Sequence, residues 1–100
     1  MNMQQMMIQA QKMQRELRKA KEELAKQEFT VTKGGAVTVT MKGDRTIIAV
    51  SIDEDAFEKE NKEMVEELVM MATNELYEKC LDLENEIEEK ITGRTGGFGF

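Results

Sequence analysis

The first 27 residues read MNMQQMMIQAQKMQRELRKAKEELAKQ, and they predict one long helix. With Met3 at position a of a heptad, apolar residues fill both seam positions over three heptads. These residues are Met3, Met6, Ala10, Met13, Leu17, Ala20 and Leu24. An unbroken seam of this kind is typical of a helix that buries one side against a partner.

Positive charge collects on the other side of this helix. The basic residues there are Lys12, Arg15, Arg18, Lys19 and Lys26. At about 1.5 Å per residue, Lys12 and Lys26 are roughly 21 Å apart, which matches about six base-pair steps of a duplex. Two interpretations stay open, namely a stripe that binds a nucleic-acid backbone and a solvated face with pairs such as Glu22 and Lys26.

The composition indicates one small soluble domain, with 100 residues, 40% hydrophobic and 34% charged. No apolar window is long enough for a membrane span, and no signal peptide is visible, so we expect a cytoplasmic protein with no membrane partner. The net charge of −6 hides a segregation of charge. Residues 1–26 hold six Lys or Arg against three Glu, whereas residues 53–91 hold four Lys against fifteen acidic residues.

Residues 28–52 predict a three-stranded antiparallel meander, because three β-branched runs are separated by Gly34-Gly35 and Gly43-Asp44. A two-residue type II′ turn at Gly43-Asp44 would pair Val39 with Ile48. A three-residue loop that starts at Lys33 would pair Val31 with Val37. Both registers bring the apolar side chains of the meander to one face.

Residues 53–61 read as a polar connection in which Ala56 and Phe57 tuck back onto the core and Asn61 caps the next helix. Apolar residues then recur at three- and four-residue steps through residues 62–91, which predicts a second long helix. Leu68 and Leu76 lie on its apolar side. Residues 93–100 form a Gly-rich segment that we expect to be a flexible tail, with Gly93 as the C-cap.

These elements predict an α+β protein with a single α-β-β-β-α domain over residues 1–92. A small meander cannot cover two long apolar helices, so we expect a homodimer. The residues expected to form the dimer and core seam are Met6, Ala10, Met13, Leu17, Leu24, Leu68 and Leu76.

The sequence shows no motif of catalysis. It lacks a phosphate-binding glycine loop, a nucleophile elbow and any His, and its one cysteine, Cys80, lies in a helical run. We therefore expect no enzyme, no cofactor, no metal site and no small-molecule substrate.

Several segments resemble the YbaB/EbfC family of bacterial nucleoid-associated proteins. The most specific are QAQKMQ (Gln9–Gln14), VTMKG (Val39–Gly43) and SID (Ser51–Asp53), and the likeness covers nearly the whole chain. The chain departs from the usual family pattern in having no Pro. The resemblance implies a tweezer-like homodimer that lies in the cytoplasm over the nucleoid. It also implies binding to double-stranded DNA with little sequence specificity, with effects on nucleoid organisation and gene expression.

Two classes of function therefore remain open. In the first, a dimer binds DNA phosphates through Lys12, Arg15, Arg18, Lys19 and Lys26. In the second, a chaperone-like or adaptor coiled-coil dimer binds protein partners through Met-rich apolar surface. DNA binding requires the basic residues of the first helix to lie clear of the acidic second helix. A chaperone-like protein requires exposed Met and Phe at the helix tips.

Overall fold

The computed structural model describes residues 2–93. Its main elements are α1 (Met3–Lys26), β1 (Glu28–Lys33), β2 (Val37–Lys42), β3 (Ile47–Ile52) and α2 (Lys62–Thr92). Two short 3-10 turns, Glu54–Ala56 and Lys59–Asn61, connect β3 to α2. The α-β-β-β-α order and the α+β class are confirmed. The molecule is elongated, 68 × 19 × 16 Å, because both helices are longer than the sheet is wide.

α1 begins at a capping box formed by its first residues. The Asn2 side chain accepts a hydrogen bond from the Gln5 backbone N–H at 2.8 Å, and the Gln5 side chain accepts one from the Asn2 N–H at 3.4 Å. These bonds satisfy donors that a helix N-terminus otherwise leaves free. The helix ends at Lys26, whose charge suits the negative end of the helix dipole.

The three strands form one antiparallel sheet in the order β1-β2-β3. In the central strand Val37, Val39 and Met41 are fully buried, and the residues between them point to the other face. α2 packs mainly against β1 and β2. The edge strand β3 is therefore poorly covered, and its side chains are exposed up to Ser51.

The loop between β1 and β2 has three residues, as expected, but it starts one residue later than expected. Val31 consequently pairs with Val39, and the expected pairing of Val31 with Val37 is wrong. Gly34 and Gly35 have left-handed φ of 58° and 64°, and Ala36 is the third loop residue, because its N–H donates to the Lys33 carbonyl at 3.0 Å and Lys33 is the last residue of β1. The slip is two residues, which leaves the expected faces of the sheet unchanged.

The turn between β2 and β3 differs from the expected type II′ turn. The Lys42 N–H donates to the Thr46 carbonyl at 2.8 Å, so the loop contains three residues and not two. Arg45, and not Gly43, has the left-handed φ of 71°. The Asp44 carboxylate accepts a hydrogen bond from the Thr46 N–H at 3.0 Å. Hydrogen bonding by the Thr46 side chain and by this N–H lowers the pKa of Asp44.

The pairing of β2 with β3 also contains a β-bulge. Ile48 is the extra residue, opposite Thr40 and Met41. Val39 therefore pairs with Val50, and the expected pairing of Val39 with Ile48 is wrong.

Gly43 is required by helix packing and not by the turn. A Cβ at this position would lie 1.9 Å from the Leu24 carbonyl oxygen, which is far inside the contact distance of real Cβ atoms. The Gly43 N–H also donates to the Gln27 carbonyl at 2.9 Å. The missing side chain thus lets the end of α1 lie directly on the β2–β3 turn.

α2 supplies the other half of the core. Its residues Ala72, Leu76 and Cys80 are fully buried against the central strand, and Leu68 packs at the margin of this cluster. The helix ends at Gly93, which has a left-handed φ of 74° and donates to the Glu89 carbonyl at 2.7 Å.

Two expectations for the connection before α2 are wrong. Asn61 precedes the helix, but its side chain makes no capping hydrogen bond. Ala56 is buried as expected, whereas Phe57 is 70% exposed and does not tuck back onto the core. The expected flexible tail lies outside the described residues after Gly93.

Candidate nucleic-acid interface

The five basic residues predicted to contact DNA are all exposed on α1. At 100° per residue, Lys12, Arg15 and Lys19 lie within about 60° of one another, and Arg18 lies about 60° further round. We call these four residues the outward stripe. They sit on one element, so the straight helix alone fixes their spacing.

No carboxylate of α2 lies within ion-pair distance of the outward stripe in the described part of the chain. Lys12 has one acidic neighbour, Glu16, one turn along the same helix with an N–O distance of 4.0 Å. Both of these side chains are more than half exposed, and exposed pairs of this kind contribute little free energy. The charges of the stripe are therefore available to an external anion.

Lys26 lies apart from the outward stripe. It is the last residue of α1 and is exposed, but Glu22 occupies the same side of the helix between Lys19 and Lys26. The stripe therefore ends at Lys19, and any phosphate contact of Lys26 would be separate from it.

The side of α1 opposite the outward stripe packs against α2. The cleft between the helices is lined by Leu24 with Ile87 near one end and by Met13 with Ile91 near the other. The structure places the predicted seam residues as follows. Leu24 and Leu76 are buried, Ala10, Met13, Leu17 and Leu68 are half-buried, and Met6 is 57% exposed. Of these residues, Leu24 and Met13 line the cleft with α2, and Leu68 and Leu76 belong to the packing of the core.

Lys21 connects α1 to the acidic residues of α2. Its ammonium group donates to a Glu88 carboxylate oxygen at 2.7 Å and lies 3.9 Å from Glu84. Glu84 in turn accepts a hydrogen bond from the Arg45 guanidinium at 2.6 Å, and this bond raises the pKa of Arg45. The Arg45 guanidinium also lies 5.6 Å from the centre of the Tyr77 ring.

This cluster fixes the rotation of α1. Glu88 is only 8% exposed, so its negative charge needs the nearby Lys21 cation. With Lys21 held against α2, the outward stripe must face away from it. The sequence reasoning did not single out Lys21, although its heptad position e, next to the apolar seam, is a signal that could have found it.

The remaining reactive groups do not form a second site. Cys80 is buried in the core, where burial raises the pKa of its thiol, and its Sγ lies 3.6 Å from the Lys42 carbonyl. Within residues 2–93, no group of three His, Cys, Asp or Glu side chains is arranged to hold a metal ion. No helix in that range is long and apolar enough to cross a membrane.

Comparison with known proteins shows the family to which the chain belongs. A model of the YbaB/EbfC DNA-binding family matches residues 1–95. This chain belongs to the YbaB/EbfC DNA-binding family. The match includes α1, the sheet and α2, so the outward stripe lies inside the family domain.

Relatives within the family carry the name nucleoid-associated protein. One from Mycoplasmopsis pulmonis is 38% identical over 91 residues, which is 91% of this chain and 90% of the relative. One from Chloroflexus aurantiacus is 36% identical over 99 residues, covering 98% of this chain and 99% of the relative. A crystal structure of the uncharacterized protein HP0035 from Helicobacter pylori has a TM-score of 0.65 at 23% identity, covering 93% of this chain and 91% of that one. This last likeness concerns the fold alone.

Proposed function

We propose that this YbaB/EbfC chain is a nucleoid-associated protein that binds duplex DNA through phosphate contacts, with little sequence specificity. The observation that carries the proposal is the outward stripe, whose four cations are exposed and clear of the acidic helix α2. The family match supplies the class of ligand. On this proposal the protein works in the cytoplasm over the nucleoid and affects nucleoid organisation and gene expression.

Geometry lets a chain of net charge −6 bind a polyanion. The acidic residues are concentrated on α2, and Lys21 and Arg45 neutralise two of those nearest α1, Glu84 and Glu88. Beyond a Debye length of about 10 Å at 0.1 M salt, the exposed charges that remain are largely screened. A phosphate in contact with the outward stripe therefore experiences mainly local positive charge.

The functional unit in this proposal is a homodimer. Val50 projects to the same face of the sheet as Val39, its partner in the register, but Val39 is buried and Val50 is 51% exposed. Ile47 and Ile48, on the same strand, are 44% and 45% exposed. A second copy would cover this apolar surface, and two-fold dimers are the commonest soluble oligomers. Since Leu24 and Met13 of the α1 seam line the cleft with α2 of the same chain, we place the dimer contact on β3.

The surface of β3 continues towards the start of α2. A cleft of about 350 Å³ lies there, and Ile52, Ala56, Phe57 and Val65 are among its lining residues. Phe57 is the most exposed of the aromatic side chains at this end of the described chain. Its position makes it a second anchor for the partner protomer.

One observation favours the alternative function of a chaperone-like or adaptor dimer. Met3, Met6 and Met7 at the tip of α1 are 57–77% exposed, and flexible Met side chains adapt to varied apolar partners. The structure nevertheless meets the condition set for DNA binding, because the outward stripe is free of α2. The family match also favours DNA over protein clients.

A salt titration of DNA binding tests the proposal. If each protomer contacts about three or four phosphates, a dimer contacts about six to eight, and log K should fall with log salt with a slope near −5 to −7. Arg15→Ala with Arg18→Ala should flatten that slope by up to about four, since the dimer then loses four phosphate contacts. Scrambled duplexes of equal length and composition should bind within a few-fold of one another.

A matched control changes the same charge elsewhere. Lys79 and Lys90 are exposed on the acidic helix α2, so Lys79→Ala with Lys90→Ala should change the slope far less than the α1 double variant does. If the α1 double variant keeps the wild-type slope, the stripe is a solvated face. Binding of unfolded clients by the Met-rich tip would then be the better account.

A further inference from the structure

The tip of α1 differs from the rest of the helix in charge and in packing. Residues 2–11 contain no charged side chain, and every residue from 2 to 9 is exposed. Ile91, in the last turn of α2, lines a shallow depression with Gln9 and Met13, so α2 ends level with that part of α1. Within the described residues, the tip therefore extends beyond α2 as a single helix.

Ile8 lies at the centre of the outward side and not on the side that faces α2. Lys12, Arg15 and Lys19 follow it by four, seven and eleven residues, the spacing of one helical face. Leu24, which contacts α2, is about 160° away round the helix. Ile8 is 58% exposed, so no packing within residues 2–93 accounts for a branched aliphatic side chain in line with the basic residues.

The width of the helix decides whether the tip of α1 can enter a groove of DNA. A single α-helix with its side chains is about 10–12 Å across, close to the major-groove width of about 12 Å in B-DNA. Two packed helices have axes about 8–10 Å apart and are too wide for that groove. Only the part of α1 beyond the end of α2 can enter, which leaves Lys12 and Arg15 at the rim of the groove beside the phosphates.

We propose that the uncharged tip of α1 enters the major groove of duplex DNA, where Ile8 contacts thymine methyl groups and Gln4 and Gln11 contact adenine. This inference rests on the proposed DNA binding and adds a preference for A·T over G·C base pairs. Gln4 and Gln11 flank Ile8 on the outward side, at four residues before and three after. A Gln amide bonds both N6 and N7 of adenine, and an aliphatic side chain favours the methyl group that distinguishes thymine.

Gln5 is less suited to this role, because its side chain accepts the hydrogen bond from the Asn2 N–H in the capping box. Gln4 and Gln11 make no such bond in the described part of the chain and point with Ile8 to the outward side. The tip thus combines two kinds of side chain that recognise A·T pairs with a stripe that holds the backbone.

Replacing thymine by uracil tests this inference, because uracil lacks only the C5 methyl group. We would measure binding of wild type and of Ile8→Ala to an A·T-rich duplex and to its uracil counterpart. Wild type should lose about fourfold in affinity for each methyl contacted, at an unchanged salt slope. Ile8→Ala should bind the thymine duplex with the same loss and should not distinguish the two duplexes.

Met6→Ala is the matched control, since Met6 is 57% exposed in the same tip but lies on the opposite side of α1. This variant should discriminate thymine from uracil as wild type does. If wild type binds both duplexes equally, or if Ile8→Ala still prefers thymine, the tip does not enter the major groove. Either result would leave the salt slope of the outward stripe intact, so it would not count against phosphate binding itself. An Ile8→Ala variant altered only in self-association would assign the tip to a second copy and overturn the inference.

Discussion

Gly43 lies where the end of α1 crosses the β2–β3 turn, and the Leu24 carbonyl occupies the space of a side chain there. Lys21 lies about one turn before Leu24 in α1, and its ammonium group balances the charge of the buried Glu88. Gly43 fixes how closely α1 approaches the turn, and Lys21 fixes the rotation of α1 about its axis. Together they determine the direction of the outward stripe.

Gly43→Ala should destabilise the protein strongly. The new Cβ would meet a backbone atom that belongs to a helix end, so neither partner can move without loss of the Gly43–Gln27 hydrogen bond. Steric insertions of this kind cost about 1–3 kcal/mol, and we expect the upper part of that range. Urea unfolding at fixed protein concentration measures the change in the free energy of unfolding.

Gly35→Ala provides the comparison. Gly35 has a φ of 64° but no atom within 4 Å of an added Cβ, so only backbone strain of about 1–2 kcal/mol is expected. Gly43→Ala should therefore be the more destabilising of the two variants. The opposite order would show that the end of α1 does not rest on the turn.

At the scale of elements, the two helices and the alternation of β2 could be predicted because each depends on a repeat within one segment. The turns could not be predicted in this way. Gly43 looked like a turn glycine, but its function depends on Leu24, which lies in another element. Gly34 and Gly35 each adopt a left-handed conformation, and the sequence pattern did not fix where their loop begins.

The candidate site also has one part that the sequence predicts and one part that it does not. The outward stripe could be located from the sequence, since four side chains on one helix need only the helical repeat. The ion pairs that orient it join residues 67 positions apart, Lys21 and Glu88, and 39 apart, Arg45 and Glu84. No local pattern relates such partners, so the orientation required the fold.

The prediction for dimer formation concerns strand β3. Val50→Glu would place a charge in the apolar surface proposed to bind the second protomer, and a buried unpaired charge is costly. We expect wild type to sediment as a dimer at micromolar concentration and Val50→Glu to sediment as a folded monomer. Analytical ultracentrifugation together with circular dichroism measures both properties.

Ala49→Glu is the control on the same strand. Ala49 is exposed and adjacent to Val50, so its side chain points to the opposite face of the sheet. This variant should remain dimeric. A monomeric wild type, or a dimeric Val50→Glu variant, would show that β3 is not the contact between protomers.

At the scale of the whole molecule, the core and the proposed dimer surface occupy one end, and the paired helices extend from it along the 68 Å axis. Most of the acidic charge lies on α2, and the free basic charge lies on the outward side of α1. The family match covers this entire arrangement. A dimer that forms through β3 would present two such pairs of helices to one duplex.

The most direct measurement is a nuclear magnetic resonance titration of the ¹⁵N-labelled protein with a mixed-sequence duplex of about two helical turns. Binding through α1 predicts that the largest amide shift changes fall at residues 4–19 and that they diminish as salt is added. The amides of Ile47–Ile52 and of residues 62–75 should stay close to their free positions. Large changes confined to β3 or to the first half of α2, with residues 4–19 unaffected, would contradict DNA binding by the outward stripe.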